Sequence, residues 1–421
     1  MLCDAIFEIF ERAGKIMLKK VLRKIEYRSK TSMVYNFRPY FEKMREGKRG
    51  SFKHDNNYHL VKAINWLKRA QDATPDGGVS RGYSMAWNPY FESKGWQPSY
   101  PETTGYIIPT FFDCSKRFDD FELFQRALKM AKWEIEIQME SGAVRGGVVD
   151  HGDPIPAVFC TGQVILGWVR TYTETGDTFF ITAAEKAGNF LLGVQNEEGT
   201  FVEDDRYMYA NRNTTTYHTR VAWALILLGK VTNKKEYVEA GIRNLEFNLE
   251  NQEDNGWFKN NCLRDAEKPL LHTICYAARG FLETGLLLDS EEYYSAAKLT
   301  SDQLLSVLKK NEYLPGRLKR NWEGSVNWSC LTGDAQLAII WLKLYQKTHD
   351  RSYLEGAHRV IEFLKSKQNC ITSELGLKGG IKGSYPFDGV YGKFEILNWA
   401  TKFFVDALLL EGLINEENLG I

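Results

Sequence analysis

The stretch Phe190-Leu191-Leu192-Gly193-Val194-Gln195-Asn196-Glu197-Glu198-Gly199-Thr200-Phe201 decides the fold, because its pattern returns along the chain. An aromatic residue or Leu is followed by Gln and then by a Gly-containing turn. Copies run from Trp66 to Gln71 before Gly77-Gly78, from Trp133 to Gln138 before Gly146-Gly147, and from Phe247 to Gln252 before Gly256-Trp257. A degraded copy spans Leu304 to Asn311 before Gly316, and the last places Phe363-Leu364 and Gln368 before Gly379-Gly380. Gln138, Gln195 and Gln252 are 57 residues apart, and the 116 residues to Gln368 are close to two more steps. Six units result. A period of that length accommodates two helices of about 15–20 residues with their loops.

A second phrase marks the partner helix, a small or polar start that turns apolar. It reads Thr104-Gly105-Tyr106, Cys160-Thr161-Gly162, Tyr217-His218-Thr219, Leu271-His272-Thr273, Cys330-Leu331-Thr332-Gly333 and Leu397-Asn398-Trp399. The helix body after each start is apolar nearly all round, as in Val221-Ala222-Trp223-Ala224-Leu225-Ile226-Leu227-Leu228. Such a helix is buried on every side, whereas the Gln-ended helices carry charge on one face. Inner and outer helices therefore alternate, and the expectation is an all-α (α/α)6 toroid over residues 51–421. No strand pattern of any length competes. Residues 1–50 are read as a basic helical extension with 13 Lys/Arg against 6 Asp/Glu. Within it, Ala5 to Tyr27 is amphipathic. It is either an anchor for a membrane surface or partner protein, or an extra helix packed on the toroid.

The whole chain has 421 residues, and its 54 Lys+Arg balance 54 Asp+Glu, which argues against nucleic-acid binding. The 11 Trp and 21 Tyr exceed what a core needs and suit cavity walls that hold amphipathic ligands such as sugars. Seven Cys, an odd number without a CxxC pair, fit reduced thiols in a cytoplasmic setting. No apolar run reaches membrane-spanning length and no signal-peptide pattern opens the chain.

The aromatic–Leu–Gln–turn–Gly phrase resembles the QW motif of squalene and hopene cyclases, with Phe201 where that family has Trp. Similar phrases occur across six-helix-pair toroids: polysaccharide lyases, unsaturated glucuronyl hydrolases, sugar epimerases, prenyltransferase β subunits and lanthionine cyclases. The resemblance covers about residues 55–412 and implies the fold, not one chemistry. Terpene cyclases of this fold use an Asp-x-Asp-Asp acid, whereas Val202-Glu203-Asp204-Asp205 lacks the first Asp. Trp328-Ser329-Cys330 faintly matches lanthionine cyclases, but the Cys-His pair of their zinc site is missing. No metal or cofactor is expected. The aromatic, ionisable loops, such as Gly95-Trp96-Gln97-Pro98-Ser99-Tyr100-Pro101-Glu102, look like cavity rims of the carbohydrate-active toroids.

In a toroid the loop entering each inner helix lines the cavity mouth, and polar residues there are site candidates. For catalysis these are Asp150, His151, Asp205, Tyr209, His218 and His272. For substrate binding they are Glu102, Arg206, Arg220, Asp334, Gln336, Tyr385, Asp388 and Asn398, with Trp96, Trp257, Trp322 and Trp328 as stacking platforms. Paired carboxylates among Glu102, Asp150, Asp205, Asp334 and Asp388 would serve hydrolysis. A Tyr or His base with Arg to hold a uronate carboxylate would serve β-elimination or epimerisation. Against these stand structural roles: His218 and His272 as helix-start caps, Asp204-Asp205 as a turn, Asp334 as an N-terminal helix charge. The expected function is processing of an oligo- or polysaccharide, one containing uronic acid, by a hydrolase or lyase. The rivals are a terpenoid or prenyl-chain enzyme and a non-catalytic glycan-binding toroid.

Overall fold

The computed structural model describes residues 17, 19–46, 55–207 and 215–419. Two helices precede the repeat, α1 (19–31) and α2 (Phe37–Glu46). The outer helices are α3 (Asn56–Asp72), α5 (Phe121–Glu136), α7 (Thr178–Gly193), α9 (Lys235–Leu249), α11 (Glu291–Asn311) and α13 (Arg351–Lys367). The inner helices are α4 (Pro101–Phe118), α6 (Val158–Thr175), α8 (Thr219–Thr232), α10 (Leu271–Leu288), α12 (Leu331–Thr348) and α14 (Asn398–Leu419). Each inner helix packs on the next inner helix and on the outer helix that follows it. The first outer helix, α3, packs on the last inner helix, α14, and α14 also touches α4, so the ring closes through the two ends of the chain. This is the (α/α)6 toroid.

The two connections of each pair differ in kind. Inner helices end on a left-handed residue, namely Asp119, Gly176, Asn233, Asp289 and His349. The next position then caps the outer helix: the side chains of Asp120, Asp177, Ser290 and Asp350 accept first-turn N–H groups. These turns are tight. The loops returning from outer to inner helices are long and gather at the opposite end of the barrel, around the inner-helix N-termini.

Both repeated phrases have a packing cause. Gln195 Nε2 donates to Gly199 O at 3.1 Å in its own turn and to Ala240 O at 2.8 Å in the next outer helix. Gln138 bonds Gly142 O and Ala183 O in the same way, Gln71 bonds Gly77 O and Arg126 O, and Gln368 bonds Gly379 O and His59 O. The amide staples each turn to the neighbouring outer helix. In the degraded fifth copy, Arg359 from the next outer helix reaches Glu312 O instead. Gly199 is left-handed at φ +91, and a Cβ there would stand 2.4 Å from Arg243 O. Gly199→Ala is therefore expected to destabilise the fold by at least about 1–3 kcal/mol from backbone strain alone, read as a lower urea midpoint. An unchanged midpoint would mean that the turn can lift off the helix.

The Thr-Gly phrase works at the inner ring. The Thr104 and Thr161 hydroxyls accept the loop N–H groups of Val79 and Val144, both at 2.9 Å. Gly105 lets α4 approach α6 so closely that a Cβ would stand 2.7 Å from Val164 Cα.

A few short strands accompany the helices. β1 (Gly82–Asn88) and β2 (Ser93–Trp96) form a hairpin before α4, and β1 also pairs with β5 (Glu395–Leu397) just before α14. β3 (Ser329–Cys330) pairs with β4 (Ser384–Tyr385). The β1–β5 pair knits the first and last return loops where the ring closes, and β3–β4 joins the fifth return loop to the last; both pairings are non-local.

Helix α2 is docked on the toroid. Lys382 and Glu46 form a buried ion pair, Asn369 donates to Glu42 at 2.9 Å, and Lys43 pairs with Asp388 at 2.6 Å. At the end of α1, Tyr27 and Lys30 lie against Trp87. Residues 5–16 and 18 of the amphipathic segment lie outside the described residues. Met17, Val21, Leu22 and Ile25 are exposed. Among the described residues no helix is long and apolar enough to cross a membrane.

Candidate active site

At the long-loop end, the inner-helix N-termini converge on Glu102, the second residue of α4. Its Oε2 accepts the Tyr100 hydroxyl at 2.5 Å and faces the Cys160 thiol of α6 at 3.7 Å. Burial raises the Glu102 carboxyl above its ordinary range, and Tyr100, Cys160, Arg220 and Arg81 pull back only part of that. Glu102 nevertheless keeps partial exposure to solvent. Burial also pushes the Tyr100 hydroxyl well up, so it stays a donor.

Aromatic rings continue from Tyr100 around the mouth. Trp399 lies 6.0 Å from Tyr100 and donates its indole N–H to the Tyr391 oxygen at 2.8 Å. Tyr391 lies 5.5 Å from His272, His272 4.3 Å from Tyr276, Tyr276 4.9 Å from Phe159, and Phe159 5.2 Å from Tyr217. One carboxyl thus sits in an aromatic belt contributed by α6, α10, α14 and the loops before α4, α8 and α14.

The hairpin forms one side of the mouth. Arg81 binds Glu395 at 3.1 Å and Gln97 at 2.6 Å, with its guanidinium over Trp399 at 5.0 Å and Phe91 at 5.6 Å. Burial opposes charge on Glu395, but Arg81, Ser84 and Gln97 outweigh it and hold the carboxyl below its usual range. Beyond Phe91, the exposed His151 ring lies tilted 4.2 Å from Tyr90, so Asp150 and His151 belong to the rim.

The other expected residues are distributed more widely. His272 stands in the belt with its Nδ1 2.7 Å from the Gln336 amide nitrogen, which puts the ring hydrogen on Nε2. His218 is interior, only 1% exposed, packed by Phe159, Phe201 and Tyr217. Its Nε2 is 3.7 Å from Glu203, whose other oxygen caps α6 through Val158 N. Burial pushes both His218 and His272 down to about 3, so both are neutral. Asp334 is buried near Cys275 and Cys330, and its carboxyl is pushed well above the usual range by burial. Asn398 bonds Ser80 O and Thr103, holding the loop entry. Arg220 bonds Gln163 inside the barrel.

The four expected Trp rings each pack against protein groups. Trp96 lies against Trp66 and Tyr83. Trp257 and Trp322 pair edge to face in the outer turns, and Trp322 donates to Asn255 O. Trp328 covers Gly316. A Cβ on Gly316 would stand 2.3 Å from the Trp328 ring, so there the missing side chain makes the room. Tyr385 packs under Lys367 and beside Phe363, and Asp388 serves α2 through Lys43. Asp205 and Arg206 sit on an exposed turn, where Arg206 pairs with Asp204 at 2.7 Å. Tyr209 lies outside the described residues. Tyr100, Phe159, Tyr276 and Trp399, together with Arg81 and Glu395, were not among the expected site residues. Their only sequence signal is position: Tyr100 and Trp399 are near neighbours of the chosen Glu102 and Asn398.

Among the described residues no group of three or more His, Cys, Asp or Glu could hold a metal ion. No protein-family model matches the chain, and no curated protein matches it. Solved structures do. An unsaturated glucuronyl hydrolase specific for heparin superposes with TM-score 0.66 at 15% identity, over 86% of this chain and 99% of that one. A sugar epimerase from a ruminal bacterium gives 0.66 at 14%, over 89% and 98%. Cellobiose 2-epimerase from Bacillus thermoamylovorans B4167 gives 0.65 at 13%, over 83% and 97%. At such identities the likeness shows the fold: this chain is an (α/α)6 toroid built like those of carbohydrate-active proteins.

Proposed function

We propose that the chain is an enzyme acting on an oligosaccharide or polysaccharide containing uronic acid, at the mouth around Glu102. The observation that carries this is a single carboxyl, raised by burial yet reachable from solvent, inside a belt of aromatic rings. Aromatic faces hold sugar rings, and a raised carboxyl can protonate a leaving glycosidic oxygen. Hydrolysis is favoured over β-elimination, since the two belt and near-belt histidines are held so far down that they are weak bases. Glucuronyl hydrolases among the structures with this fold support a uronate substrate. Glu102 and Arg81 place charge where a prenyl-chain enzyme needs an apolar lining. Cytoplasmic residence is part of the same reading, supported by the six cysteines among the described residues, all buried and free. So is a peripheral membrane or protein contact through residues 5–27, supported by the exposed apolar residues of α1.

The test is mass spectrometry of uronate and neutral oligosaccharides incubated with the protein in heavy water. Cleavage with addition of water is expected. Cleavage without it would make the protein a lyase, and deuterium in an uncleaved sugar an epimerase. Binding without any change would leave a glycan-binding toroid, and no binding at all would overturn the reading.

A further inference from the structure

The barrel opens a second time, at the end where the inner helices finish. All six inner helices line a cavity of about 770 Å³ there, within the range that holds small organic ligands. Leu166, Val169, Leu227, Val231, Leu409 and Leu410 supply an aliphatic wall. The remaining lining is charged, and almost all of that charge is internally matched. Arg170 pairs with Asp113 at 2.5 Å, Arg279 and Lys343 with Glu283 at 2.5 and 3.0 Å, and Lys402 with Asp406 at 2.6 Å.

Arg220 is different. It lines the cavity, is 2% exposed, and makes one hydrogen bond, from Nε to Gln163 Oε1 at 2.9 Å. Among the described residues no carboxylate pairs with it. Its guanidinium lies over Tyr276 at 4.9 Å and Trp223 at 5.4 Å, faces that soften the loss of water but neutralise nothing. Burial pulls its pKa below the ordinary value, as expected for an uncompensated cation. An enclosed guanidinium with unused N–H donors is a ready carboxylate or phosphate receptor.

We propose that this cavity binds a small amphipathic anion, its carboxylate or phosphate head on Arg220 and its apolar body along the wall of Leu166, Leu227 and Leu409. An inorganic ion would leave that wall in water, and an uncharged lipid would leave Arg220 bare. The cavity opens at the opposite end of the barrel from Glu102, with Arg220 on its floor beside Tyr276 of the belt, and the proposal does not depend on the glycan reading.

Isothermal titration of the full chain with dodecanoate, dodecyl phosphate, inorganic phosphate and 1-dodecanol tests it. One of the two amphiphiles is expected to bind at one site, and which binds tighter distinguishes the head groups. Inorganic phosphate and dodecanol should bind at least about tenfold more weakly, and Arg220→Gln should weaken the amphiphile by at least about tenfold. Should Arg220→Gln fail to fold, Leu409→Glu, on the half-exposed wall, must abolish binding. The proposal is overturned if neither amphiphile binds, if dodecanol or phosphate matches the amphiphiles, or if Arg220→Gln or Leu409→Glu binds like the parent.

Discussion

Glu102→Gln is expected to lower kcat on a uronate oligosaccharide by about 10²–10⁴-fold, the contribution of a positioned general acid, while KM changes little. The amide keeps the shape of the carboxyl and still accepts the Tyr100 hydroxyl, so the belt of rings should stand. What it loses is the transferable proton. The pH profile supplies a second readout. A general acid works only while protonated, so the alkaline limb of kcat should follow the raised pKa of Glu102. The Tyr100 hydrogen bond pulls that pKa down. Tyr100→Phe should therefore move the alkaline limb to higher pH. Full activity in Glu102→Gln, or a limb that ignores Tyr100→Phe, would remove Glu102 from the chemistry.

His218→Phe is expected to flatten the pH dependence of stability by about 1.4 kcal/mol per pH unit in acid. In the folded chain burial holds His218 to about 3, and its free value is near 6.5. Between those limits the unfolded chain binds the proton and the folded chain does not. The stability that His218 contributes is thus present above 6.5 and is lost as pH falls toward 3. At pH 4.5 the loss reaches about 3 kcal/mol. His272 acts in the same direction. Glu102, Glu134 and Asp334, all raised by burial, act oppositely, so the parent curve mixes the two. Urea midpoints of parent and variant at pH 7 and 4.5 isolate the histidine. Parallel curves would mean that His218 is protonated, or open to water, in the fold. The variant's ring lies among Phe159, Phe201 and Tyr217, and any packing cost it brings is the same at both pH values.

The same residues show what a sequence can and cannot tell about a site. His218 and His272 occupy equivalent repeat positions, yet one faces the belt and the other lies beneath it. Phe159, Phe201 and Tyr217 pack around His218 at the end of the 3-10 turn Thr216–His218, and leave it only 1% exposed. Trp257 and Trp322, each near a loop glycine, read as sugar platforms but fill space between outer turns. A glycine leaves room for a ring from either side, and the sequence does not say whether ligand or protein takes it. Tyr100, Phe159, Tyr276 and Trp399 went unmarked because an aromatic residue at an inner-helix start looks like any core residue.

The amino-acid sequence by itself determined the number of helix pairs, their inner and outer order, and the end at which the long loops gather. Those features arise from local chemistry: an amide that staples a turn to the next helix, a Thr-Gly that brings two inner helices together, an Asp that caps the next helix. Only the tertiary structure decided which side chains share the mouth and which cation stays without a carboxylate. Glu102, Phe159, Tyr276 and Trp399 meet because the ring closes between α14 and α4. Arg220 goes unmatched because every carboxylate in that cavity already serves another cation, a balance that exists only once six helices stand side by side.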